Sequence, residues 1–239
     1  MKELALRTHL TRPAVLAASL VAAGTLLAVP GVAQASSTSP TSASGTAASG
    51  SAVGKSGHGL KQFQERHGLA RTGSVDRATA KALDRASDTE LHQTFRTAAD
   101  LGPEELANAR TVIGVGKGAG IPEQGQVIAL MTAMQESKFV NYLTPVDHDS
   151  LGIFQQRPST GWGTPEQITD VPTSSKSFYG VADFGTNPGL IQIAGWETMP
   201  PGDVCQAVQG SAYPDRYAQW EQFARDLLAQ EGPTVPPIP

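Results

Sequence analysis

The segment PEQGQVIALMTAMQES, residues 122–137, carries the strongest helical pattern in the chain. Its large apolar side chains recur at i, i+3, i+4 and i+7, which is the spacing of one face of an α-helix. These side chains belong to Val127, Leu130, Met131 and Met134. Proline is tolerated in the first turn of a helix, where its missing N–H has no intrahelical partner to lose. The segment therefore predicts a core helix that starts at Pro122 and ends at Ser137.

Glu136 places one carboxyl group at the end of this apolar helix. On the same face, the residues at i−3, i−4 and i−7 are small and predict room for a substrate. They are Ala133, Thr132 and Ala129. A carboxylic acid among apolar groups keeps its proton to higher pH, because burial disfavours the charged form. Cleavage of a glycosidic bond needs such a donatable proton near neutral pH, so Glu136 is the candidate acid.

Further helical patterns occur along the chain, and no run with alternating polarity indicates a substantial sheet. Helices are expected around residues 60–64, over Arg77–Leu83 with Asp76 as cap, within 88–100, from Pro103 to Gly116 or Gly118, over Val204–Val208 and over Arg216–Leu228. Repeated proline and glycine between Ser137 and Phe178 favour loops there. The predicted fold class is mainly α.

Residues 1–35 have the pattern of a secretory signal peptide. A positively charged start precedes an apolar run over residues 14–29, and Ala33-Gln34-Ala35 provides a small-residue cleavage site. The run is shorter than the ~20 residues that span a bilayer, although an uncleaved anchor is the alternative. We therefore expect cleavage after Ala35, export from the cell and no stable membrane insertion afterwards.

The exported chain is acidic and contains one cysteine. Without residues 1–35 it has 15 Lys and Arg against 21 Asp and Glu, a net charge of −6. Nucleic-acid binding rewards clustered basic residues, so this class of partner is not expected. Cys205 has no second cysteine with which to form an intramolecular disulfide, so the domain depends on its core. A monomer is expected.

Composition divides the remaining chain into a linker, a short ordered element, a connector, a main domain and a tail. Residues 36–56 are rich in Ser, Thr, Ala and Gly and cannot bury enough apolar surface to fold, so they predict a flexible linker. Residues 87–104 predict a helical connector, and residues 231–239 predict an extended Pro-rich tail.

The ordered element, residues 57–86, has a characteristic order of glycine, aromatic and polar residues. They are Phe63, Gln64, His67-Gly68-Leu69, Thr72-Gly73, Val75-Asp76, Thr79 and Leu83. This order resembles the second half of the small three-helix peptidoglycan-binding module. The first helix of a complete module would fall in the linker, so the element is truncated. The resemblance implies wall binding, and a packed helical leader is the alternative.

The chain lacks the residues that a cysteine peptidase or a zinc enzyme would need. All five histidines precede Cys205, and only His148 lies in the main domain. Zinc sites use several ligands, commonly histidines, and His148 has only Asp147 and Asp149 beside it. No metal and no cofactor are expected.

Several motifs follow Glu136 in a fixed order. They are Gln135-Glu136-Ser137, the run Asp147 to Pro158 (DHDSLGIFQQRP), Gly161-Trp162-Gly163, Gly195-Trp196, Ala207-Val208-Gln209, Ser211-Ala212-Tyr213-Pro214 and Tyr217. Through them, residues 105–230 resemble the lysozyme-like, lytic-transglycosylase-like domains of secreted bacterial cell-wall enzymes. The resemblance implies a mainly α, lysozyme-like domain. It also implies that Glu136 protonates the glycosidic oxygen between N-acetylmuramic acid and N-acetylglucosamine.

The same resemblance implies a set of glycan-contacting residues. They are Ser137, Ser150, Gly152, Phe154, Gln155, Gln156, Trp162 and Tyr213. Phe154 and Trp162 are equally compatible with core packing. Tyr213 occupies the place where transglycosylases commonly carry Ala-Tyr-Asn, with Pro214 here in place of the asparagine.

The choice of reaction depends on a second carboxylate. A lytic transglycosylase reuses the same Glu as base, whereas a hydrolase needs a partner at ~5–5.5 Å or ~6.5–9.5 Å. Asp147 and Asp149 are the candidates for that partner. No obvious carboxylate is paired with Glu136 in the sequence, which favours a lytic transglycosylase over a hydrolase. The expected protein is thus a secreted, wall-associated lytic transglycosylase that acts on peptidoglycan. A hydrolytic muramidase and a non-catalytic wall-binding protein of the same shape remain as alternatives.

Overall fold

Nine α-helices organise the part of the chain that the computed structural model describes, residues 56–145 and 147–239. They are α1 (His58–Arg66), α2 (Arg77–Leu83), α3 (Asp88–Thr94), α4 (Pro103–Gly118), α5 (Glu123–Ser137), α6 (Pro165–Thr169), α7 (Val171–Tyr179), α8 (Pro201–Gln209) and α9 (Glu221–Glu231). Short 3-10 turns join them, and these residues contain no β-strand, only an isolated bridge between Leu151 and Gln156. The predicted mainly α class is confirmed.

Helix α5 forms the centre of the fold, and α4, α7, α8 and α9 pack around it. Every residue from Gly125 to Met134 is buried, so the helix has no solvent-facing stripe in its middle turns. The predicted small-residue face, with Ala129, Thr132 and Ala133, is therefore covered rather than open. Its small side chains allow α8 to approach closely, since Cys205 of α8 lies 3.6 Å from the carbonyl of Ile128.

The helix boundaries follow the capping chemistry of the sequence. Asp76 caps α2 by accepting a hydrogen bond from the Thr79 N–H at 2.7 Å, as predicted. Helix α4 begins at Pro103 and continues to Gly118. Pro122 is the cap of α5 rather than its first residue, because its extended backbone precedes the helical turn.

The expectation of a loop-rich stretch between Ser137 and Phe178 is wrong in its second half. Helices α6 and α7 lie there, and Pro165 and Pro172 are in their first turns, where proline costs no hydrogen bond. Thr164 and Asp170 cap these two helices. The prolines that looked like loop markers are thus helix starts.

The truncated element, residues 57–86, is folded around Gln64. This buried amide donates to the Thr72 hydroxyl, the Ser74 carbonyl and the Thr79 hydroxyl at 2.9–3.1 Å, and accepts from the Gly73 N–H at 2.9 Å. Leu60 and Phe63 of α1 are fully buried in the same hydrophobic core that contains α4 and α5. The element is therefore packed into the body of the protein.

The predicted signal peptide and nearly all of the predicted linker lie outside the described residues. No described helix is long and apolar enough to cross a membrane. The C-terminal tail forms a 3-10 turn over Gly232–Thr234 and then runs along α4, where the Ile238 N–H donates to the Gly114 carbonyl at 2.8 Å.

Candidate functional site

Glu136 lies in the last turn of α5 and is half-buried, unlike the buried residues from Gly125 to Met134. Its carboxyl oxygen Oε1 accepts a hydrogen bond from the hydroxyl of Tyr217 at 2.5 Å. Tyr217 precedes α9 and is itself buried. The two residues are 81 positions apart in the chain, and their contact gives the carboxyl group a defined orientation.

Burial raises the pKa of Glu136 above its ordinary value, because a charged carboxylate loses water contacts there. The hydrogen bond from Tyr217, the Gln209 amide and the positive charge of Lys138 oppose this rise in pKa, in that order of importance. The pKa nevertheless remains raised. Glu136 thus holds its proton at higher pH than an exposed glutamate and can release it towards a ligand.

Gln135, the residue before Glu136, anchors the end of α5 to the helix that follows Tyr217. Its oxygen Oε1 accepts from Trp220 Nε1 at 2.9 Å and from Gln219 Nε2 at 3.1 Å. Gln219 is in turn 2.9 Å from a ring nitrogen of His92 in α3, and this ring also packs against Trp220, with the ring centroids 4.5 Å apart. The connector and the C-terminal region therefore hold the backbone next to Glu136.

Lys138 ends α5 in a left-handed conformation with φ 57°, and Phe139 follows with φ 64°. Both are uncommon for side-chain-bearing residues, which marks a locally strained turn. Burial lowers the pKa of Lys138, whereas Asp84 and Glu136 raise it through their nearby charges. The charges of Glu136 and of Asp84, at the end of α2, thus both act on Lys138.

One hydrogen bond joins the segment Ser150–Pro158 to the end of α5, and another joins it to the end of α8. The Ser137 hydroxyl donates to the Ile153 carbonyl at 2.7 Å, and Gln209 Nε2 donates to the Phe154 carbonyl at 2.8 Å. Gly152 has φ 70°, and a Cβ there would lie 2.4 Å from the Ile168 carbonyl oxygen. The segment is therefore a tightly packed turn beside Glu136.

Most of the predicted glycan-contacting side chains in and near this turn are buried. They are Ser137, Ser150, Phe154, Gln156 and Trp162. The ring of Phe154 stacks on Phe178 at 4.6 Å, so it lies in the core and offers no face to a sugar. Gln156 donates to the Ser174 carbonyl at 3.4 Å, and its oxygen has no partner among the described residues.

Two of the predicted residues remain accessible. Gln155 is half-buried with φ 49°, and its amide donates to the Gly152 carbonyl at 2.9 Å. Tyr213 is 66 % exposed, and its ring lies 5.9 Å from the guanidinium carbon of Arg216. These two side chains can meet a ligand without any rearrangement of the core.

The two candidate second carboxylates have other partners. Asp149 accepts from Arg157 Nε and from the Ser159 N–H, both at 2.8 Å, and these contacts lower its pKa well below its ordinary value. The side chain of Asp147 is 81 % exposed and lies 2.8 Å from the ring of His148. Asp149 acts as a fixed anion in its loop.

Tyr217, Gln209 and Lys138 are the neighbours of Glu136 that sequence reasoning left without a role. Tyr217 and Gln209 belong to the quoted motifs, but neither spacing nor polarity indicated that they would meet a residue more than 70 positions earlier. Of the three, only Lys138 could have been predicted as a neighbour of Glu136, because it carries a positive charge and lies two positions away in the sequence.

Among residues 56–145 and 147–239, no three His, Cys, Asp or Glu side chains cluster in a way that would hold a metal ion. In comparisons with known proteins, no family model matches the chain and no curated protein matches it. Function is therefore inferred from the chemistry of Glu136 and its neighbours.

Proposed function

We propose that this chain is a secreted, wall-associated enzyme that cleaves peptidoglycan glycan strands. The bond cleaved joins N-acetylmuramic acid to N-acetylglucosamine, and Glu136 is the single catalytic carboxyl group of a lytic transglycosylase with a lysozyme-like domain. The observation that carries the proposal is the 2.5 Å hydrogen bond from Tyr217 to a half-buried glutamate whose pKa is raised by burial.

This arrangement suits a group that first donates and then accepts a proton. Burial keeps Glu136 protonated, so that it is ready to act as an acid. The Tyr217 hydroxyl engages Oε1 and leaves Oε2 to carry the proton. After the proton has left, the same hydrogen bond stabilises the carboxylate, because charged acceptors form the stronger hydrogen bonds.

The reaction then has two steps. Glu136 gives its proton to the glycosidic oxygen, the bond from this oxygen to C1 of the muramic residue breaks, and positive charge develops at C1. The carboxylate next takes the proton of the muramic 6-hydroxyl as that oxygen bonds to C1. A 1,6-anhydro ring forms, and Glu136 returns to its protonated state without consuming water.

The surroundings of the other carboxylates favour this route over hydrolysis. A hydrolase needs a second carboxylate that is free to attack C1 or to activate water. Asp149 is held by Arg157 and Ser159, and Asp147 extends into solvent beside His148. A route that uses Glu136 alone requires neither Asp149 nor Asp147.

The test is cleavage of purified peptidoglycan by the wild type and by Glu136→Gln, measured as loss of turbidity. Gln has the shape of Glu but no acidic proton, so we expect the rate to fall by roughly 10²–10⁴-fold. Thermal unfolding of both proteins controls for loss of fold. Equal rates would remove Glu136 from the mechanism.

Mass spectrometry of the released fragments distinguishes the two reactions. A transglycosylase leaves 1,6-anhydro-muramic ends, and fragments with only reducing ends would instead identify a hydrolase. No cleavage by the folded wild type on any wall preparation would favour a non-catalytic wall-binding protein.

A further inference from the structure

A groove of about 670 Å³ lies between the truncated element and the loop that follows α5. One wall is formed by α2 and the residues before it, and the other by residues 140–145. Its size fits a short peptide or a few sugar units. Neither the motifs around Glu136 nor the proposed reaction assigns a role to this groove.

The α2 wall presents positive charge to the groove. Arg77 and Lys81 are four residues apart and therefore lie on the same face of the helix. Both are exposed, and neither forms an ion pair within residues 56–145 and 147–239. Two cations without partners on one groove wall are suited to hold carboxylates.

Negative charge and apolar surface complete the groove. Two carboxylates line the groove: Asp76 is engaged by the Thr79 N–H as the cap of α2, and Asp84 lies at the end of this helix. Burial raises the pKa of Asp84, and the nearby Lys138 opposes this rise. Val75, Ala80 and Val140 supply small apolar surface, and Leu143 is 69 % exposed at the edge. The groove thus offers sites for carboxylates, an amino group and methyl groups in one place.

The groove is linked to the surroundings of Glu136 at two points. Lys138 is close enough to both Asp84 and Glu136 for each carboxylate to influence its pKa. The Tyr142 carbonyl, in the second wall, accepts from the Gly152 N–H at 2.9 Å. The groove wall formed by residues 140–145 is therefore directly connected to the turn beside Glu136.

We propose that this groove binds the peptide stem of the peptidoglycan strand whose sugar backbone lies at Glu136, an inference that rests on the proposed function. A stem peptide combines alanine methyl groups, free carboxylates and the amino group of a diamino acid. Arg77 and Lys81 hold the carboxylates, Asp84 receives the amino group, and the apolar wall packs on the methyl groups. The truncated element then selects peptide-bearing strands instead of serving as an independent wall anchor.

The experiment compares kcat/KM on glycan strands with intact stem peptides and on the same strands stripped of peptides by an amidase. We expect the wild type to prefer intact strands by roughly tenfold, the equivalent of about 1.4 kcal/mol. Arg77→Ala/Lys81→Ala should lose this preference while its rate on stripped strands stays unchanged. Arg85→Ala removes an exposed cation of the same element that does not line the groove, so it should retain the preference.

The outcomes separate the two proposals. Cleavage of both substrates without a preference, or a preference that survives in the double variant, overturns the groove assignment and leaves the enzyme assignment intact. If the wild type cleaves neither substrate, the enzyme assignment fails. An NMR titration with a soluble synthetic stem peptide then tests whether the groove binds the stem. Shifts in residues 75–84 and 140–145 that vanish in the double variant support it, and their absence overturns it.

Discussion

Glu136 and Glu105 are two glutamates whose pKa is raised by burial, and their surroundings differ. Glu105, in the first turn of α4, is 2 % exposed, and its Oε2 has no hydrogen-bond partner among the described residues. Glu136 has the Tyr217 hydroxyl on one oxygen and retains partial exposure. A raised pKa alone therefore does not distinguish the two glutamates; accessibility and an orienting partner make Glu136 the candidate acid.

Glu105 should make stability depend on pH. Burial raises its pKa from 4.5 to about 7, so the folded state holds a proton that the unfolded state releases. This contribution is fully present below pH 4.5 and is lost as the pH rises through about 7. Since one pKa unit corresponds to about 1.4 kcal/mol, the loss is on the order of 3 kcal/mol. The loss can be measured by urea unfolding of wild type and Glu105→Gln from pH 4 to 9. If the free energy of unfolding of the variant depended on pH as that of the wild type does, the assignment to Glu105 would be contradicted.

Tyr217→Phe should shift the pH–rate profile. The hydroxyl lowers the pKa of Glu136, so its removal lets the carboxyl group keep its proton to higher pH. We expect the alkaline limb of the profile to move upward in pH and the rate at the optimum to fall by roughly tenfold. Tyr179→Phe is the control, because its hydroxyl donates to the Val112 carbonyl in the core. An unshifted alkaline limb in Tyr217→Phe would show that the hydroxyl does not tune Glu136.

At the scale of elements, the end of α5 is where several chain segments converge. Ser137 connects it to the 150–158 turn, Gln135 to the residues before α9, and Lys138 approaches the end of α2. The central turns of α5 are buried on every side, whereas its last turn is partly exposed. This contrast gives Glu136 a rigid support and access to solvent at the same time.

Gly152→Ala should destabilise the turn beside Glu136. An alanine there combines a left-handed backbone at φ 70° with a Cβ only 2.4 Å from the Ile168 carbonyl oxygen. Gly68→Ala is a matched control, because its φ is 65° but its Cβ would meet nothing within 4 Å. Gly68→Ala should lower the free energy of unfolding only by the backbone strain, roughly 1–2 kcal/mol. Gly152→Ala should lower it further, because the clash adds to this strain. Equal losses of unfolding free energy would mean that the turn relaxes without cost.

At the scale of the whole molecule, one hydrophobic core runs from α1 to α9. Leu60 and Phe63 share it with Ile113, Leu130 and Leu227. The Gly57 N–H donates to the Leu101 carbonyl at 2.6 Å, and Arg216 pairs with Asp88 across the same region. Removal of residues 57–86 would open this core, so the wall binding proposed for them is better tested by surface substitutions.

Leu60→Ala should therefore destabilise the entire protein rather than α1 alone. Loss of a fully buried leucine costs roughly 2–5 kcal/mol, which corresponds to a decrease in Tm of roughly 5–15 °C for a domain of this size. Calorimetry should show one transition at a lower temperature. The same change at the exposed Leu143 should have almost no effect. A separate early transition with the main one unmoved would identify an independent N-terminal unit.

The sequence by itself determined the helical class, the bounds of α2 and, to within about two residues, those of α4 and α5, and it identified Glu136 as the candidate acid. Helix periodicity and caps such as Asp76 depend on near neighbours in the chain, and the pattern in residues 122–137 is of this local kind. The tertiary structure decided that Tyr217 meets Glu136, that Phe154 lies in the core, and that α2 and residues 140–145 form a groove. These relations join residues far apart in the chain, and they arise only when packing brings the helices together.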